Sequence, residues 1–319
     1  MKVVILGGTG ILSSGITKKC IEENYEVIHF NRSNNPPEYE IKTIIGNRYN
    51  ENDLKKVLDV NPDIIIDMLC FDEKTAKMTA ELFREKVQQY IFCSTSCVYT
   101  PVEGDTIITE ESETKPFTEY GRNKLAAEKV FLEADKQQYF DTTIFRPSHV
   151  FGDTFTVSNL TLDGLSHLSR IKRGLDIILT NNGEKKFQAC HSDNIGLAFA
   201  KACGNHKCYG NIYNIAGEEH MTWNDVYQIE LDFIGSKSKI CYMDTDEVIN
   251  YDKERLDFLN TFTRYDWSQS MSKLKKDIPD YTYEVNFIKG ITTTIQKNWE
   301  TLHSYTTEDD IYNALLSRK

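Results

Sequence analysis

The chain has 319 residues, 40% hydrophobic and 27% charged, enough for one large domain or two unequal lobes around a sizeable core. A formal net charge of −11 disfavours broad attraction to nucleic acid or an anionic membrane, while oriented backbone N–H groups still allow anionic small molecules. No apolar run approaches the roughly 18 residues of a membrane span. The strand-like start without a signal peptide and the eight scattered cysteines point to a cytoplasmic protein with reduced thiols.

In chain order, short apolar, β-branched runs alternate with helix-length amphipathic segments. The runs are Val3–Leu6, Glu26–Asn31, Ile41–Ile45, Asp63–Leu69, Tyr90–Ser94 and Thr142–Arg146; the helices are Ile16–Asn24, Glu51–Leu58, Lys74–Glu85 and Tyr120–Ala134. Continuous apolar runs separated by helices predict an α/β, Rossmann-type doubly wound parallel sheet over residues 1–155. A smaller, mostly helical C-terminal lobe is expected over 156–319, with segments near 188–217 returning to the sheet. Its predicted elements are helices over Ser158–Arg173, Trp223–Gly235, Trp267–Leu274, Val285–Leu302 and Thr306–Leu316, and strands over Asp176–Thr180 and Asn211–Ala216. Cys203, His206 and Cys208 lie close together without a second ligand pair, so no metal site is expected.

Gly7-Gly8-Thr9-Gly10-Ile11-Leu12 follows the first strand and opens the first helix, the context in which glycines let backbone approach a pyrophosphate. Ser13 stands where a third glycine is usual, and is small enough to keep close helix–strand packing. The second strand ends in Asn31-Arg32-Ser33 rather than in a carboxylate. That permits a 2′-phosphate, so NADP is favoured over NAD.

Tyr120-Gly121-Arg122-Asn123-Lys124 places a phenol and an ammonium one helical turn apart on one face. A phenol ordinarily keeps its proton to about pH 10. A neighbouring ammonium favours the phenolate, so the pair is suited to exchanging a proton with an alcohol.

Together with Phe92-Cys93-Ser94-Thr95-Ser96-Cys97-Val98-Tyr99, Phe145-Arg146-Pro147-Ser148-His149-Val150-Phe151-Gly152, His191-Ser192-Asp193-Asn194 and Tyr213-Asn214-Ile215-Ala216-Gly217, these stretches resemble the extended short-chain dehydrogenase/reductases, in particular the NAD-dependent epimerase/dehydratase family. The resemblance implies that Tyr120 is the acid/base, that Lys124 binds the nicotinamide ribose and lowers the tyrosine pKa, and that Thr95 hydrogen-bonds the reacting oxygen. It further implies that Gly7, Thr9, Gly10, Ile11, Leu12, Asn31, Arg32, Met68, Cys93 and Pro147 hold NAD or NADP. Ser96, Cys97 and His149 fall on the substrate side.

The family's 4,6-dehydratases carry acidic residues just after the Ser/Thr, where this chain has Ser96-Cys97. A sugar epimerase is therefore expected ahead of a dehydratase, with a simple ketoreductase and a non-enzymatic regulatory or RNA-binding relative as the other readings. Cys97 reads either as a reactive thiol or as a packed one. The substrate is expected to be a small molecule, a nucleotide sugar. The arginine that often grips its phosphates is missing, and Lys186 is the candidate substitute, with Arg170, Lys172 and Arg173 as others. A homodimer through the Tyr120 helix and Lys74–Glu85 is the expected assembly.

Overall fold

Residues 1–32, 39–160 and 164–318 are described by the structure, a computed structural model. Seven strands form one parallel sheet: β1 (Lys2–Leu6), β2 (Glu26–Asn31), β3 (Lys42–Ile45), β4 (Ile64–Asp67), β5 (Gln89–Cys93), β6 (Asp141–Pro147) and β7 (Asn211–Ile215). Their spatial order is β7-β6-β5-β4-β1-β2-β3, so the order reverses at β1, and the cleft beyond the carboxyl ends of β1 and β4 is where such sheets bind ligands.

Alternation along β1 shows why the runs lack polar gaps. Val3 and Ile5 pack into one core with Ile16, Cys20, Ile195 and Phe199, while Val4 and Leu6 pack into another with Ala76, Phe83, Ala127 and Phe131. The first layer is α1 (Ile11–Glu22) and α4 (Ser192–Ala202); the second is α2 (Glu73–Phe83) and α3 (Glu119–Lys136). A sheet covered on both faces needs apolar residues at successive positions. In the first layer, Gly15 and Gly196 meet backbone to backbone. A Cβ on Gly15 would lie 2.1 Å from the Ser192 carbonyl oxygen, and one on Gly196 would lie 2.2 Å from that of Gly15.

The C-terminal part has its own apolar cluster, including Leu160, Leu168, Trp223, Tyr227, Phe287 and Tyr312. The predicted helix over Ser158–Arg173 is shorter, Ser166–Lys172. Asn159 is committed to another partner, its side-chain oxygen accepting from the Thr180 N–H at 2.8 Å, and Gly164 has φ +77°, which a helix does not tolerate. The segment read as helix over Trp267–Leu274 instead begins as a strand: Ser268–Gln269 pairs with Ile107–Ile108, and only Ser272–Asp277 is helical. Asn211–Ile215 joins the large sheet beside β6. No helix of the described residues is long and apolar enough to cross a membrane.

Candidate active site

The nucleotide end of the cleft is built from backbone. After β1, Gly7 and Gly8 adopt φ +123° and +92°, and a Cβ on Gly8 would lie 2.5 Å from the His29 ring. His29 is buried against Thr17, its Nε2 lying 2.9 Å from the Thr17 hydroxyl, and burial lowers its pKa to about 4, so the ring under the loop is neutral. Ser13 does more than keep a close approach. Its Oγ accepts from the Gly10 N–H at 2.8 Å and donates to the Gly10 carbonyl at 3.1 Å, fixing the turn that opens α1.

One groove of about 570 Å³ is faced by Gly7, Thr9, Gly10, Ile11, Leu12, Asn31, Arg32 and Met68. Sequence reasoning missed its opposite wall, Asn47, Arg48, Tyr49 and Phe71. The buried Arg48 is held there by Asp67 at 3.0 Å and Thr79 at 2.7 Å, with the Tyr90 hydroxyl donating to the same carboxylate. The signal in the sequence was the polar run Gly46-Asn47-Arg48 directly after β3. A groove floored by glycines, open beside a helix N-terminus and ending at a non-acidic strand tip, fits a dinucleotide. Ser33, part of the cofactor-preference argument, lies outside the described residues.

Next to the groove, with Leu12 lining both, lies a hollow of about 210 Å³ lined also by Ser94, Thr95, Tyr120, Pro147, Ser148 and His149. Two local contacts bring Tyr120 to Thr95. Thr118 caps α3, its Oγ1 accepting from the Gly121 N–H at 3.1 Å, and Gly121 presses on the loop after β5, where a Cβ would sit 2.3 Å from the Cys97 carbonyl oxygen. Beneath them, Glu128 of α3 and Arg146 of β6 form a buried bidentate pair at 2.9 and 2.6 Å, and the Ser94 hydroxyl donates to the same carboxylate.

Lys124 is 2% exposed. Its ammonium donates to the Cys70 and Cys93 carbonyls, each at 2.8 Å, and lies 4.6 Å from the Phe71 ring centre. The expected depression of the Tyr120 pKa by Lys124 is not what the structure shows. Burial of the phenol, then the Cys97 and Cys93 thiols, holds it above its ordinary value, with the Thr95 hydroxyl pulling the other way. Tyr120 as a residue is 43% exposed, with its ring 6.5 Å from that of Phe71. The ammonium is drawn to backbone oxygens, and burial lowers its own pKa.

His149 faces the hollow, wedged edge-on against Phe187, Trp223 and Phe262, with ring-centre distances of 5.1, 6.0 and 5.5 Å. Burial lowers it to about 4, offset only in part by the Phe262 backbone. The wall opposite Tyr120 was not legible in the sequence. It consists of Phe155, Val157, Ser158, Phe258 and Phe262, contributed by segments without a motif.

Three residues expected on the substrate side lie elsewhere. Ser96 and Cys97 are buried behind Thr95 and do not line the hollow, and burial pushes the Cys97 thiol up to about 11, which keeps it protonated rather than reactive. Lys186 sits on a two-residue strand whose next side chain, Phe187, turns inward against Trp223. Lys186 therefore faces outward, where it pairs with Asp105 at 2.5 Å.

With this geometry in view, comparison with known proteins is informative. The model of the NAD dependent epimerase/dehydratase family matches residues 3–216. An uncharacterized protein y4nG of Sinorhizobium fredii is 31% identical over 155 residues, covering 48% of this chain and 37% of that protein. The 2′-dehydrokanamycin reductase of Streptomyces kanamyceticus is 22% identical over 235 residues, covering 72% of this chain and 65% of the reductase. The chain thus spans less than two thirds of the length of both relatives. Among solved structures, the epimerase Mth375 of Methanothermobacter thermautotrophicus superposes with a TM-score of 0.78 at 16% identity, covering 95% of this chain and 94% of that one. The UDP-glucuronic acid 4-epimerase of Bacillus cereus, solved with NAD, gives 0.76 at 17% identity, covering 95% of this chain and 100% of that one. At these identities the structures speak to the fold.

Proposed function

Since the chain belongs to the NAD-dependent epimerase/dehydratase family, we propose that it interconverts a secondary alcohol and its ketone, with Tyr120 as the acid/base and a nicotinamide dinucleotide in the glycine groove. The carrying observation is the placement of Thr95, Tyr120 and Pro147 around one hollow at the end of that groove. The bound dinucleotide supplies or accepts the hydride. The protein's part is to hold the oxygen at Thr95 and to move its proton. In the reducing direction the Tyr120 O–H donates to the carbonyl oxygen as the carbon gains hydride; in the oxidising direction the phenolate takes the hydroxyl proton back. Lys124 is on the same helix face, anchored one turn behind. A phenol held above its ordinary pKa keeps its proton at neutral pH, which suits reduction. The oxidising rate is expected to rise with pH across and beyond the usual tyrosine range.

An elimination gains no support, because neither Ser96 nor Cys97 offers an acid to the hollow. The epimerase expected from the sequence draws support from the family and from the folds it resembles. A specific observation favours the ketoreductase. To epimerise, a ketone must present its second face, and a hollow of about 210 Å³ walled by Phe155, Phe258 and Phe262 leaves little room to turn. The likeness to a 2′-dehydrokanamycin reductase points the same way. A reductase consumes reduced cofactor in proportion to product, whereas an epimerase retains it unchanged. Stoichiometric product formation on adding substrate to protein preloaded with NADPH separates them.

Asn31 and Arg32 at the groove support NADP over NAD, which titration of both cofactors tests. The outer faces of α2 and α3, with Ala80, Leu125, Ala126 and Val130 along a broad groove, support a homodimer, and sedimentation equilibrium tests it. The reduced thiols support a cytoplasmic setting.

A further inference from the structure

Resting on the alcohol–ketone reading above, we infer that the substrate is a compact, uncharged ring alcohol or ketone carrying no diphosphate. Three observations carry this. The hollow holds about 210 Å³, and the nicotinamide end of a cofactor takes part of it, leaving space for about one ring, below the 300–1,000 Å³ usual for larger ligands. Its wall opposite Tyr120 is aromatic, and the titratable ring inside it, His149, is neutral at physiological pH.

The third observation is the distribution of cations. Among the described residues no lysine or arginine lines the hollow. The candidates for gripping phosphates are engaged elsewhere: Arg170 and Arg173 by Asp309, Lys172 by the Trp299 carbonyl and Lys186 by Asp105. Residues 33–38 and 161–163, outside the description, contain no lysine or arginine in the sequence. The first turn of α3, which carries Tyr120, is capped by Thr118, and the start of α1 belongs to the cofactor groove. A diphosphate entering past Phe258 and Phe262 would lose water without gaining a counter-charge. A neutral ring instead loses only apolar hydration against the aromatic wall, with Thr95, Ser148 and Ser158 able to meet its hydroxyls.

The test uses the full chain loaded with NADP. Binding of UDP and dTDP is measured by calorimetry, beside NADPH oxidation with cyclohexanone and 2-hydroxycyclohexanone and turnover of UDP-glucose. The expected result is no saturable nucleotide binding, turnover of the neutral ketones, and a KM for them about tenfold or more higher in Phe262→Ala with kcat little changed. Micromolar binding of UDP or dTDP, or turnover of UDP-glucose, overturns the inference whatever happens with the ketones. If NADPH binds but neither ketone oxidises it, the inference of a neutral ring substrate fails, while the hydride-transfer reading is tested separately by loss of turnover in Tyr120→Phe.

Discussion

Around Gly7 to Gly10 the cleft wall is peptide backbone: two glycines at positive φ, a helix start and a serine that returns its hydroxyl to the main chain. Around His149 the wall is side chain: Phe155, Phe258 and Phe262, with Phe187 and Trp223 stacked behind at 4.1 Å. A dinucleotide pyrophosphate is the same in every enzyme that uses it, so its seat is a fixed backbone shape that demands particular residues. A substrate wall demands only volume and polarity, which many residues supply. One end of the cleft is therefore constrained residue by residue through its backbone, and the other only through volume and polarity.

The sharpest separation of the two ends is Tyr120→Phe. Turnover should fall by about 10²–10⁴-fold, while cofactor affinity, measured by nicotinamide fluorescence, stays within a factor of about two of the parent. Loss of cofactor binding instead would mean that the ends are not independent. Glu128→Gln acts on what joins them, the buried pair between α3 and β6. It leaves the Arg146 charge without its partner, and a loss of about 3–5 kcal/mol in urea unfolding is expected. A loss within about 0.5 kcal/mol, the surface-substitution range, would show that the pair does not hold the helix to the strand.

Gly8→Ala attacks the backbone end alone. The strain of a positive φ and the His29 ring behind it are expected to cost about 1–3 kcal/mol, seen as a rise of roughly 5- to 150-fold in cofactor Kd with the ketone KM little changed. The smallest effect concerns pH. Each end buries one neutral histidine, His29 and His149, both lowered to about 4. The unfolded chain takes up these protons first, near pH 6.5. The stabilising contribution is therefore complete above that pH and is lost as pH falls through about 4. Thermal melts between pH 7 and 4 should show this decline, with His149→Phe removing about half of the part due to the two histidines. An unchanged slope would locate the acid sensitivity elsewhere.

The same division explains what was legible in the sequence. The strands were readable because burial on both faces left uninterrupted apolar runs. The glycine turn after β1 was readable because its φ values of +123° and +92° favour glycine. That Tyr120 and Thr95 face one hollow was expected from family spacing. Arg48 and Phe71 were missed because strand order, not sequence proximity, brings β3 and the loop after β4 beside the glycine loop. Phe258 and Phe262 were missed because an aromatic wall has no period and no motif. Lys186 failed because a two-residue strand turns adjacent side chains to opposite sides, and the inward one is Phe187. Trp267–Leu274 failed because its pairing partner, Ile107–Ile108, lies more than 150 residues away along the chain.

The crossing of α1 and α4 has a mechanical consequence. Gly15 and Gly196 leave no layer of side chains between the two helix backbones. Close-packed backbone neither slides nor compresses as a layer of flexible side chains does. The helix that begins at the glycine loop and the helix that begins directly after His191 therefore move as one rigid piece on the same face of the sheet. The short helices from Thr245 to Phe262, which carry two of the hollow's three phenylalanines, lie outside that weld.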